Sequence, residues 1–177
     1  MQRFLRAGLA LARLVFSVLI ISSPALAEEL PDWRDARTMP DLVATLDLWL
    51  DANAPWPRRD QPPSIRWISP QNARALSGQA ARGGAHKPRG FYDADRRIIH
   101  LVEPWTPGDP QDVSVLLHEL AHHRQATAGH WYCPGAQELP AYRLQAAWLE
   151  GLGLTANINW IAVVLEAGCS PRDIHPD

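Results

Sequence analysis

The chain has 177 residues, enough for one domain with a hydrophobic core but few for two. Hydrophobic residues make up 46% of it and include eight tryptophans, a composition that excludes disorder as the overall state. The net charge is −2 and no basic stripe is present, so the composition does not favour a nucleic-acid partner.

Residues 1–27 have the pattern of a secretory signal peptide. Arg3, Arg6 and Arg13 give a positive start, an apolar run follows at residues 14–21, and small residues precede a cleavage point after Ala27. Cleavage there changes the net charge from −2 to about −5. The apolar run is short for a bilayer, so a retained membrane anchor is the minor alternative. We expect a periplasmic or secreted protein with no stable membrane span after cleavage.

The mature chain opens with an amphipathic helix and an extended linker. Leu42, Leu46 and Leu50 recur at helical spacing within residues 41–53 and predict a helix that covers the core. Four prolines within residues 54–63 predict the linker. We therefore assign residues 28–63 to an N-terminal helix and Pro-rich linker, and residues 64–177 to the main domain.

The next segments predict a small sheet. Residues 64–69 are typical of a short strand, and residues 70–76 of a helical turn. Turn residues 93–96 separate two apolar segments, 91–92 and 97–102, which predict a β-hairpin. Residues 77–90 predict a loop, either a surface connection or a lid over a substrate. His100 is expected to be a strand-face residue rather than a ligand.

A capped helix is predicted after this hairpin. Asp109 is a good N-cap, Pro110 suits the first helical position, and the helix dipole favours the acid Asp112 in the first turn. Gly129 is the predicted stop. The apolar residues recur at helical spacing and predict a buried stripe, formed by Val113, Leu116, Leu117 and Leu120.

Two further helices are predicted, one ending near Glu150 and one over residues 157–167. Cys133 and Cys169 lie just outside these helices. In an exported chain, two cysteines predict a disulfide bond, with free thiols or zinc ligands as the alternative.

The predicted capped helix carries the run His118-Glu119-Leu120-Ala121-His122. Histidines four apart lie one turn apart on the same face, about 6 Å from each other, so both can bind one metal ion. The His123 side chain points about 100° away from that of His122 around the helix, so we expect it to pack against the protein or to face solvent rather than to bind the metal. The alternative to a metal site is a solvent-exposed helix whose histidines bind no metal.

This motif resembles that of the zincin metallopeptidases. The resemblance implies that His118 and His122 bind Zn²⁺ and that Glu119 is the general base that activates water, not a ligand. It also implies that an edge strand, for which residues 97–102 are our candidate, pairs with an extended peptide substrate. More loosely, the chain resembles small exported bacterial proteins of unknown function that carry the motif.

The third metal ligand distinguishes the branches of this group. Metzincins need Gly and His where this chain has Gln125 and Ala128, so that branch is excluded. The gluzincin branch takes a glutamate from a following helix, and Glu138 is our candidate, with Glu150 and His130 as alternatives. Pro140 places Glu138 near the helix start.

Tyr142 lies one turn after Glu138, where many gluzincins have an aspartate. We expect it either to donate a hydrogen bond to the oxyanion of a tetrahedral intermediate or to be a structural tyrosine.

Together these features predict an α+β fold resembling a minimal zincin domain. In this fold a small antiparallel sheet packs on two helices: the helix that carries His118 and His122, here called the motif helix, and the following helix, which carries Glu138. The predicted function is zinc-dependent hydrolysis of peptide or amide bonds in a peptide or protein substrate. The alternatives are a non-catalytic exported zinc-binding domain and an amidase that acts on cell-wall peptides.

Overall fold

A computed structural model describes residues 30–80, 88–129 and 131–169, without the side chains of residues 77–80. The predicted signal peptide, residues 81–87 of the predicted loop and His130 lie outside the described residues. The helices are α1 (Met39–Asn53), α2 (Pro70–Ala80), α3 (Pro110–Gln125), α4 (Glu138–Gly151) and α5 (Trp160–Ala167), and the strands are β1 (Ser64–Ile68), β2 (Gly90–Asp93) and β3 (Ile98–Val102). The predicted α+β class is therefore confirmed.

The three strands form one mixed sheet in the order β1-β3-β2. β2 and β3 are the predicted antiparallel hairpin, but β1 pairs with β3 in parallel, so the prediction of an antiparallel sheet was wrong for β1. The prediction that residues 97–102 form an edge strand was also wrong. β3 has four buried residues out of five and takes the centre of the sheet, which leaves β2 as the edge strand that follows the loop.

Helix α1 belongs to the same core as the sheet and α3. Its start is fixed by a capping box, in which Thr38 and Asp41 each accept a hydrogen bond from the backbone N–H of the other. The predicted apolar face is buried and joins one cluster with residues of β3, α3 and α4. The N-terminal helix thus completes the core.

A buried ion pair ties α1 to the end of α3. The guanidinium of Arg124 is 1% exposed and donates to the carboxylate of Asp47 at 2.7 Å and to that of Asp51 at 2.8 Å. It also donates to the backbone carbonyl of Asp47 at 2.7 Å and to that of Trp56 at 3.3 Å. These bonds connect α1, the linker and the motif helix.

The predicted helix boundaries hold with small shifts. α2 continues to Ala80 rather than ending as a turn, and α5 begins at Trp160, where the Asn159 side chain caps it. α3 ends at Gln125, four residues before the predicted stop. Gly129 has a φ of 117°, a conformation that favours glycine, but it lies in the turn beyond the helix.

The predicted disulfide joins Cys133 to Cys169. It links the segment just before α4 to the end of α5, and a disulfide is compatible with an extracytoplasmic location. Across the described ranges, no helix is both long and apolar enough to cross a membrane.

Candidate metal site

Helix α3 brings the two motif histidines together. The Asp109 side chain accepts a hydrogen bond from the Gln111 backbone N–H at 2.8 Å, so the helix starts at Pro110 as predicted. The Nε2 atoms of His118 and His122 lie 3.0 Å apart, on one face of the helix. Both imidazoles therefore present the same nitrogen to one point.

Glu138 completes this group from the first turn of α4. One carboxylate oxygen lies 3.4 Å from Nε2 of His118, and the other lies 3.4 Å from Nε2 of His122. Zinc–ligand bonds of 2.0–2.1 Å in a tetrahedral site place neighbouring ligand atoms about 3.3 Å apart. The three side chains fit such a site, and together they could hold a metal ion.

The two histidines and Glu138 shift one another's pKa values. Burial lowers the pKa of His118. Burial would also lower the pKa of His122, but the hydrogen bond and negative charge of Glu138 outweigh it and raise that pKa to about 9. The hydrogen bonds from both histidines hold the pKa of Glu138 below its usual range, despite its burial. Glu138 is therefore a carboxylate, the form that binds metal.

Glu119 lies beside this cluster but is not one of its three members. Its side chain is 5% exposed, and burial raises its pKa to about 8, although the backbone N–H of Tyr92 stabilises the charged form. A Cβ atom on Gly90 would lie 3.0 Å from Oε1 of Glu119 and 2.8 Å from Cγ1 of Val115. The missing side chain at Gly90 lets β2 approach α3 closely.

Tyr142, on α4, packs against His118. Its ring centroid is 4.3 Å from that of His118. Burial raises the pKa of its phenol to about 12, with a further contribution from the charge of Glu138, so the hydroxyl keeps its proton at neutral pH. The structure thus brings together all five residues that the sequence predicted for the site.

The other sequence candidates lie elsewhere. Glu150 is exposed near the end of α4, and neither it nor His100 belongs to the metal-binding group. His123 is buried, and its ring nitrogens lie 3.0 Å from the Tyr92 hydroxyl and 3.1 Å from a backbone carbonyl. His130 lies outside the described residues.

One contact residue was not predicted from the sequence. Gln125, the last residue of α3, is completely buried, and its Oε1 lies 2.7 Å from Nδ1 of His122. Its Nε2 donates to the backbone carbonyl of Gln137 at 3.0 Å. The sequence held one signal: Gln125 is three residues after His122, a spacing that puts two side chains on the same helix face.

The fold and the site define a small α+β domain with a His-His-Glu group that could hold a metal ion. The chain belongs to the family described as a domain of unknown function, DUF6647, which matches residues 35–177. That range contains every residue of the site. No curated protein and no solved structure matches the chain.

Proposed function

We propose that this protein is a zinc-dependent hydrolase of peptide or amide bonds that acts in the periplasm or outside the cell. The observation that carries the proposal is the convergence of His118, His122 and Glu138, with the buried carboxylate of Glu119 beside them. Catalytic zinc sites have three protein ligands and an open position, and two histidines with one glutamate are a common set. Structural zinc sites are usually closed by four side chains.

Each residue of the site then has a separate role. Zinc, when bound, supplies Lewis acidity that polarises an amide carbonyl and makes water acidic enough to lose a proton near neutral pH. The positive charge of a bound zinc would favour the ionised form of Glu119, which takes that proton as general base and passes it to the leaving amine as general acid. The hydroxyl of Tyr142 donates a hydrogen bond to the oxygen on which negative charge develops.

The sheet edge supports a peptide as the substrate. β2 is an edge strand, and its residue Gly90 lies close to the carboxylate of Glu119. Extended peptides bind sheet edges through backbone hydrogen bonds. A peptide that pairs with β2 would therefore run past the general base, which we infer is how the scissile bond is presented.

The test uses the chain from residue 28, purified and analysed for metal. We expect about one zinc per chain and hydrolysis of a mixed peptide library. Glu119→Gln should keep the zinc and lower the rate at least about 100-fold, because it removes the general base. Glu150→Gln, at an exposed glutamate of α4, is the matched control and should change neither property. A chain that binds no zinc, or an active Glu119→Gln variant, would contradict the proposal.

The third ligand is tested separately. Glu138→Ala should weaken zinc binding at least about tenfold, since even groups that only support metal ligands contribute 10–100-fold. A smaller effect would remove Glu138 from the site. If the wild type binds zinc without hydrolysing any peptide, the protein is the non-catalytic binding domain. If it cleaves only cell-wall peptides, it is the amidase.

A further inference from the structure

Gln125 uses both ends of its side-chain amide in one buried bridge. Oε1 lies 2.7 Å from Nδ1 of His122, and Nε2 donates to the carbonyl of Gln137 at 3.0 Å. The side chain is completely buried, so water does not compete for either bond. The bridge runs from the end of α3 to the residue directly before Glu138.

The direction of this bridge fixes the state of the imidazole. A backbone carbonyl can only accept a hydrogen bond, so the nitrogen of the Gln125 amide must face Gln137. The amide oxygen then faces His122, and because it also can only accept, Nδ1 of His122 must carry a hydrogen. In the neutral ring this leaves the lone pair on Nε2, the atom that faces His118 and Glu138.

We propose that Gln125 is a positioning residue that holds His122 in its metal-binding tautomer and ties that ligand to the segment carrying Glu138. The metal part of this inference rests on the proposed function, whereas the tautomer does not. His118 has no bond of this kind: its Nδ1 atom is buried and makes no hydrogen bond within 3.5 Å to the described residues, although Gln145 lies near the ring. One glutamine thus serves both the second histidine and the third ligand.

The requirement for glutamine follows from the two bonds. Leucine has a similar size but can make neither bond. Glutamate keeps an acceptor for Nδ1 of His122 but, as a carboxylate, repels the carbonyl of Gln137 and adds a buried charge. Gln125→Leu should therefore affect both functions of the residue, and Gln125→Glu only the link to Gln137.

The first measurement is the histidine tautomer in the metal-free protein, read from proton–nitrogen correlation spectra at a pH at which the spectra themselves show a neutral His122 ring. We expect the Nδ1–H form of His122 in the wild type and in Gln125→Glu, and its loss in Gln125→Leu. The second is the zinc dissociation constant, by chelator competition, which Gln125→Leu should raise about 10–100-fold. Gln111→Leu, at an exposed glutamine of α3, should change neither quantity.

Two results would overturn this inference. One is a folded Gln125→Leu variant with the wild-type tautomer and a zinc dissociation constant within twofold of the wild-type value. The other, which applies if that variant does not fold, is the loss of the Nδ1–H form in Gln125→Glu. Neither readout needs hydrolysis, so an inactive wild type that binds zinc would contradict the proposed function and leave this inference intact.

Discussion

Replacing Arg124 by methionine tests how α1 and the motif helix are joined. Arg124 is 1% exposed, and Asp47, which receives two of its side-chain hydrogen bonds, is 6% exposed. Methionine keeps much of the buried volume but removes every hydrogen bond and the positive charge. Asp47 then remains buried without its partner.

The expected cost is about 3–5 kcal/mol of unfolding free energy, the usual effect of removing one member of a buried ion pair. For a chain of this size that corresponds to a fall in melting temperature of about 10 °C. The matched control is the exposed pair between Arg58 and Asp51, whose side chains are 40% and 42% exposed. Arg58→Met should cost about 0–1 kcal/mol.

The assay is urea unfolding of the metal-free protein, followed by tryptophan fluorescence, with the slope of the transition compared between variants. The double variant Asp47→Leu/Arg124→Met should recover part of the loss, because it leaves no unpaired charge on Asp47. If Arg124→Met costs no more than Arg58→Met, the buried network does not hold α1 to the motif helix and the reasoning fails.

Three further predictions follow from named contacts. Replacing Cys133 and Cys169 by serine should cost about 3–4 kcal/mol and weaken zinc binding, since the bond braces the segment before α4; unchanged zinc affinity would contradict the second part. Gly90→Ala should displace Glu119 and slow hydrolysis by up to about 100-fold with normal zinc content, and a fully active variant would contradict it. Burial, with the positive charge of Arg59, lowers the pKa of His123 from 6.5 to about 4. Between these pH values the unfolded chain binds more protons than the folded one, so the folding stability falls as the pH is lowered from 6.5 to 4. The stability gap between the wild type and His123→Asn should therefore narrow from pH 6.5 to 4 in urea unfolding, and a constant gap would refute this.

The local features of the motif helix could be predicted because they depend on short spacings. Asp109, Pro110 and the apolar stripe determine where α3 begins and which face it buries, and the structure agrees with each. The hairpin and the disulfide were also predictable, since turn residues and an even cysteine count are local or compositional signals.

The errors concern pairings that no local pattern encodes. Both edges of a strand look alike in sequence, so the central place of β3 and the parallel partner β1 could not be derived from periodicity. Arg124 is charged and follows two histidines, and its burial depends on the carboxylates of Asp47 and Asp51, 77 and 73 residues earlier. Gln125 was missed as a contact for the same reason, because its second partner is the backbone of Gln137.

Glu138 shows how local and distant restraints combine at this site. Helix geometry alone places His118 and His122, but Glu138 comes from another helix, and its partly buried charge is stabilised by the two imidazoles. The amide of Gln125 and the disulfide hold the segment before Glu138 from two sides and thereby restrain the position of its carboxylate beside the imidazoles. A metal ion entering this site would therefore lose little free energy to ordering its ligands, and its affinity should depend on these two restraints as much as on the ligands themselves.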